Sequence, residues 1–482
     1  MSRILLWAAV PILASALTFI GRPALADQTD DLKAQIQVLN AQIQAIQNRQ
    51  AADNPPQAES AAAAGATPAP SNKVVGGDFP GSFKIPGTDT SVAIHGFVDL
   101  QAFYDPDQYL GGKFQVGLAV PNGPAQRQTQ GTYHFHDKLT RFAFETRTPT
   151  KYGELKTVLI QDLYGYFAGN IPGQCANNQG VCDGLVGTGS IQNYNFGPRN
   201  LYAYGVLGRV LVGHYLSNFI DEEDQEEVLD SSGPAGVPAQ QLPQVRYTLP
   251  LGKGLLSFSA ETPATEYAFA IPATATAPAA ASVENPSVYN PRPDFTAKYN
   301  IDAPWGHAMV SGTLRKLAFD DGNDHRSVGD GAGMMVGGTY AFHDGVSTLG
   351  ALTWFGNGIQ KYTPDDFVPV SSAQIANIGT PQQQLFTANE HGEAAFLAHT
   401  FSPVIRANVG VGLNHNYWAD FIPADVSQPV QTKTVHANII WSPVPQTDFG
   451  FEFMHGVKSY RESLNLPTTG VSRLQTEFKF RF

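Results

Sequence analysis

The last ten residues of the chain read RLQTEFKFRF, from Arg473 to Phe482. Phe482, Phe480, Phe478, Thr476 and Leu474 fall on every second position, with Arg481, Lys479, Glu477, Gln475 and Arg473 between them. Side chains along a strand alternate between two faces. The stretch therefore reads as a strand with one apolar and one wet face. Two folds can hold it. A soluble sandwich turns the phenylalanines inward. A membrane β-barrel turns them to lipid and the charges to a water-filled interior.

The same alternation recurs upstream. RFAFETR sets Phe142, Phe144 and Thr146 against Arg141, Ala143, Glu145 and Arg147. QVRYTLPL sets Val245, Tyr247 and Leu249 against Gln244, Arg246 and Thr248, and DFTAKYN sets Phe295, Ala297 and Tyr299 against Asp294, Thr296 and Lys298. IRANVGVGLNHNY and TDFGFEFMHG repeat the pattern with Val409, Val411 and Leu413, and with Phe449, Phe451 and Phe453. Each run is about ten residues, the length a tilted strand needs to cross a bilayer.

The connections decide between the two folds. Short turns are expected at 148–153, 207–208, 250–254, 302–306, 344–345, 402–404 and 443–447. Long ones are expected after 166 and near 219–242, 263–291, 320–332, 357–391, 419–431 and 459–471. A sandwich has no reason to gather its long loops at one end, whereas an outer-membrane barrel does. A wet outer face would also carry more lysine than a chain that is 15% charged provides. The expected fold is all-β: a closed antiparallel transmembrane barrel of about sixteen strands, with Phe482 at the lipid boundary.

Ahead of the barrel the composition changes three times. Arg3, the apolar run ILLWAAVPILASALTFI and the small-x-small Ala24-Leu25-Ala26 read as a secretory signal peptide over residues 1–26. In residues 27–50, Leu32, Ile36, Leu39, Ile43 and Ile46 are spaced four, three, four, three, a heptad seam for a short coiled-coil helix. An amphipathic helix lying on its own domain is the alternative. Residues 51–82 are rich in Ala and Pro and read as a flexible tether, leaving 83–482 for the barrel. Cys175 and Cys182 enclose a small glycine-containing loop. In an oxidising compartment they read as a disulfide, since nearby metal ligands are lacking.

Net charge is −12, which argues against a nucleic-acid partner. No Gly-x-Ser-x-Gly, His-Glu-x-x-His or phosphate-binding glycine loop occurs, so no catalytic residue, metal or cofactor is assigned. His134 and His136 share a strand face and would be the starting point for an outer-membrane enzyme on a barrel scaffold, the alternative function.

The tether, FKIPGTDTSVAIHGFVDLQAFYD (83–105), ELKTVLIQDLYG, VLVGHYLSNFID, SGPAGVPAQQLPQVRYTL and the terminal LQTEFKFRF together resemble the DcaP-like porin family. The resemblance implies a sixteen-strand homotrimer in the outer membrane of a Gram-negative bacterium, its N-terminal helix in the periplasm. It implies passive diffusion of small hydrophilic solutes, small organic anions such as dicarboxylates among them. Phe478, Phe480 and Phe482 would then be the signal read by the barrel-assembly machinery, with outer-membrane lipid around the belt. The piece after the fifth strand would be the loop that folds into the lumen. It carries Asp221, Glu222, Glu223, Asp224, Glu226, Glu227 and Asp230. Facing a basic wall of Arg141, Arg147, Lys156, Arg246, Lys298 and Arg315, these acids would set up a transverse field at a constriction. Two alternatives stand beside this: a solvated outer loop, and internal pairing of the wall, such as Arg141 or Arg147 with Glu145.

Overall fold

The computed structural model describes residues 75–121, 123–165, 197–223, 225–271, 280–284, 289–363, 371–426 and 428–482. The signal peptide, the heptad seam, Cys175, Cys182 and Asp224 lie outside the described residues.

Sixteen antiparallel strands close on themselves. They are β1 (Ser91–Asp105), β2 (Thr132–His136 continuing as Arg141–Thr150), β3 (Gly153–Gly165), β4 (Gly197–Leu207), β5 (Val210–Leu216) and β6 (Gln241–Leu251). Next come β7 (Gly254–Glu261), β8 (Asp294–Ala303), β9 (Gly306–Asp320), β10 (Arg326–Phe342) and β11 (Ser347–Asn357). The last five are β12 (Asn389–Ser402), β13 (Ile405–Asn416), β14 (Gln431–Trp441), β15 (Thr447–Ser459) and β16 (Thr469–Arg481). Every strand pairs with its chain neighbours, and β16 returns to β1 with Phe97 opposite Arg481 and Tyr104 opposite Leu474. The break in β2 is bridged from β1, where the Asp99 amide donates to Thr140 Oγ1 at 3.1 Å.

The terminal strand shows why this sequence makes a barrel. Phe478, Phe480 and Phe482 are 40%, 48% and 57% exposed, whereas Arg473 and Gln475 are fully buried. The outward belt continues through Phe142, Phe144, Val245, Val409, Val411, Phe451 and Phe453, all exposed. A soluble protein does not show so wide an apolar surface; a bilayer covers it. Exposed Tyr152, Tyr247, Trp305, Tyr340, Phe401 and Trp441 mark the rim that carries the short turns, as an interfacial aromatic girdle does.

Short turns join β2–β3, β4–β5, β6–β7, β8–β9, β10–β11, β12–β13 and β14–β15 at one end, and the other connections lie at the opposite end. One expected long loop, at 320–332, is a tight turn instead. Asp320 pairs with Arg326, so β9 and β10 run on past the rim. Part of the loop region has a sheet of its own, in which Tyr267–Ile271 pairs with Ala280–Glu284 and with Ala373–Ala376, and the latter with Gln384–Thr387. Hydrogen-bonded backbone already begins at Val75, whose carbonyl accepts from the Lys84 amide at 2.9 Å, inside the stretch read as tether.

Candidate functional site

Loop 3, residues 217–240, leaves β5 and re-enters at β6, and it lies on the inner wall. Phe219 and Ile220 pack with Leu216, Met309, Met335, Leu352, Trp354 and Tyr362 in a buried apolar cluster. The Ile220 carbonyl accepts from Lys298 Nζ at 3.1 Å, and the Phe219 carbonyl accepts from Ser311 Oγ at 2.5 Å. The loop then crosses to β13–β15. There the Leu229 amide donates to Glu452 Oε2 at 2.5 Å, and the Asn438 amide group donates to the Glu227 carbonyl at 2.8 Å. On its way back, the Ala235 amide donates to Thr434 Oγ1 at 2.8 Å and Trp354 Nε1 donates to the Gly236 carbonyl at 2.6 Å.

Small residues on the wall make room for it. A Cβ at Gly410 would stand 1.7 Å from Glu226 Oε2, and one at Gly412 would stand 1.9 Å from the Ala235 carbonyl. These glycines break an otherwise polar inward face, and that break is the sequence signal for the loop's footprint. Loop 1, residues 106–131, enters beside loop 3. Arg473 forks onto Asp105 at 2.7 and 2.8 Å and also donates to the Gly111 carbonyl at 2.7 Å. Lys458 donates to the Gly117 carbonyl at 2.6 Å.

The six described loop acids do not act as one charged patch. Asp221 is 3.2 Å from Lys298 and 3.4 Å from His307. Burial alone would raise its carboxyl, but those two groups hold it down at about 2. Glu227 takes a two-pronged contact from Arg406, 2.7 Å at Nε and 2.6 Å at Nη2. Asp230 is buried and accepts the Phe114 amide at 3.1 Å and the Ser232 amide at 3.2 Å. Glu226 is buried without a hydrogen-bond partner. Glu222 accepts from the Tyr202 hydroxyl and, like Glu223, is exposed.

The basic residues divide in the same way. Arg147 and Lys156 sit 2.6 and 3.4 Å from Glu145. Arg246 donates to Gln244 Oε1 at 3.0 Å and to the Leu216 carbonyl at 2.5 Å. Arg315 is 1% exposed; it pairs with Asp294 at 3.0 Å and donates to the Gly358 and Ala264 carbonyls, tying down loops rather than lining the lumen. Arg141 lies over the Phe97 ring at 5.4 Å and faces a cavity of about 720 Å³.

That cavity is bounded by loop 3 and the walls of β2, β4 and β11. Its charged lining is Lys113, Arg141, Arg199 and Lys361 against Glu222 and Glu266. Sequence reasoning missed three of these cations. Lys113 and Lys361 come from loops, where no periodicity marks a face. Arg199 follows a register shift at Ile160/Gln161 in the β3–β4 ladder, and a bulge breaks the two-residue alternation. His134 and His136 are also inside; His136 Nε2 donates to the Gly112 carbonyl at 2.7 Å, and both rings pack on Phe103.

Among solved structures, the outer membrane channel DcaP of Acinetobacter baumannii superposes with a TM-score of 0.63 at 18% identity, covering 82% of this chain and 97% of that one. The chain has the fold of the DcaP channel. Lower scores go to the anion-selective porin from Comamonas acidovorans (TM-score 0.46, 10% identity, 82% and 100% covered). OmpT of Vibrio cholerae scores similarly (0.46, 7%, 82% and 98%). No protein-family model and no curated protein sequence matches the chain. The DcaP-like resemblance read from residues 83–105 and the terminal strand is thus met at the level of fold.

Proposed function

We propose that the chain is an outer-membrane porin, a passive diffusion channel for small hydrophilic solutes with a preference for small organic anions such as dicarboxylates. The observation that carries this reading is the inverted barrel: apolar outside, polar inside, with loop 3 folded against the wall beside a charged cavity. Nothing in such an arrangement needs chemistry. It needs only a water-filled path and a charged narrowing. The anion preference rests on the lining, where Lys113 and Arg141 stand beside Arg199 and Lys361, the last two also paired with Asp162 and Asp294 behind the wall. A guanidinium can fork onto a carboxylate, and two cations at opposite walls can hold both ends of a dicarboxylate. Among the described loop-3 acids, Asp221, Glu227 and Asp230 are engaged and Glu226 is buried, so Glu222 and Glu223 are the ones that oppose anion entry. A homotrimer held together by residues 27–50 belongs to the same reading, as does assembly through Phe478, Phe480 and Phe482.

The test is planar-bilayer recording of the detergent-purified protein in a salt gradient. Wild type should form stepwise channels. The E222Q/E223Q variant should shift reversal toward anions and R141Q/R199Q toward cations. Each shift should be a fewfold in permeability ratio, since a unit charge across a few ångströms of water is worth about 1 kcal/mol. Folded protein that forms no channel would end the porin reading. Channels indifferent to both variants would move the filter elsewhere in the lumen.

A further inference from the structure

Loop 3 carries one buried acid that neither its ion pairs nor the cavity uses. Glu226 is 8% exposed, and neither carboxylate oxygen has a hydrogen-bond partner. It is wedged onto β13, where only a glycine at 410 leaves space for it. Glu452 on β15 acts on it through space and is itself fully buried. Both oxygens of Glu452 are engaged: His436 Nδ1 on β14 lies 2.8 Å from Oε1, and the Leu229 amide donates to Oε2. The other charged groups on this face are committed as well. Arg406 on β13 is held by Glu227 and by Asp448 at 3.3 Å, and Asp230 accepts two amides. Among the described residues, no cation pairs with Glu226.

A buried carboxylate without a partner is expensive, and a proton removes the cost. We propose that Glu226 is a proton latch. In its protonated form it lets loop 3 lie on β13–β15, and its ionisation favours release of the loop from that wall. The latch follows from the docking geometry alone; its effect on permeation rests on the porin reading.

The sign follows from linkage. Burial, then the charge of Glu452, pushes Glu226 up to about 8 in the docked loop, while a released loop would return it to the ordinary glutamate range. The docked loop therefore keeps a proton that the released loop gives up. Docking is strongest below the ordinary range and weakens as pH rises from there to about 8. The slope is at most about tenfold per pH unit in the docked-to-released ratio, and it levels off above the window.

The measurement is amide hydrogen exchange of residues 228–236 in the full-length, detergent-folded chain between about pH 5 and 9, corrected for the intrinsic pH dependence of exchange. Wild-type protection should fall by up to about tenfold per pH unit through the window. E226Q should flatten the slope. D230N, a control for another buried acid of the loop that burial also pushes up, should keep most of it. E452Q removes the opposing charge and should bring the upper end of the window to lower pH. A flat wild-type profile, an unchanged slope in E226Q, or a slope abolished by D230N alone overturns the latch. Bilayer recordings in the same pH range separate the two readings. High-conductance substates that grow with pH in wild type and not in E226Q support both. The exchange slope without any channels keeps the latch and overturns the porin.

Discussion

At the scale of single residues, loop 3 is held by contacts that fail one at a time. Lys298 is the clearest. Its ammonium touches both the Ile220 carbonyl and Asp221 Oδ2. Replacing it with methionine leaves a buried carboxylate with only His307 and the Glu223 amide beside it, which costs on the order of 3 kcal/mol of docking. Loop 3 of Lys298→Met should be cut by added protease at least tenfold faster than wild type in an otherwise intact barrel. Lys156→Met, whose partner is Glu145 near the short-turn rim, should not change that rate. Equal cutting of Lys298→Met and wild type would show that the apolar cluster around Phe219 holds the loop by itself. Charge alone would not have sorted these residues. Lys298 and Arg315 are inward cations on neighbouring strands, β8 and β9, yet one pins the constriction loop and the other is buried under different loops.

At the scale of the element, the strands were the legible part. Alternation in the strand from Arg473 to Phe482 places each side chain on the face where the barrel has it, because a strand with one lipid face cannot slip by one residue without turning its charges into the membrane. Legibility ended at local breaks in that rule. The register shift at Ile160/Gln161 hides Arg199, and the sequence of the turn at 321–325 reads as longer because acids and glycines look alike in a turn and in a loop. Closure supplies a prediction here. Phe482 exchanges two backbone bonds with Gly96, at 3.0 and 3.2 Å, and its ring lies 5.9 Å from that of Phe142. Deleting Phe482 removes both bonds at the seam. The fraction of protein running as a heat-modifiable folded band in unboiled gels should drop severalfold. Unchanged folding would remove Phe482 from both closure and assembly.

At the scale of the whole molecule, one barrel encloses one lumen, and the proposal that residues 27–50 assemble several barrels makes its own prediction. If the heptad seam of Leu32, Ile36, Leu39, Ile43 and Ile46 ties copies together, a chain lacking residues 27–50 should still fold as a barrel. In light scattering it should move from trimer toward monomer in detergent, while conductance per pore stays unchanged. A truncated chain that remains trimeric would place the interface on the barrel wall.

The sequence by itself determined the barrel, its strand number, its lipid and water faces and the end at which the long loops gather. Those follow from two-residue periodicity and turn chemistry, which are local. Only the tertiary structure decided which charges meet the pore. Loop 1, loop 3 and the connection from β11 to β12 bring Lys113, Glu222 and Lys361 to one cavity from distant positions in the chain, and the glycines of β13 leave the space that Glu226 and Ala235 take. Contacts of that kind depend on where separate segments cross inside a closed wall, and no period along the chain encodes the crossing.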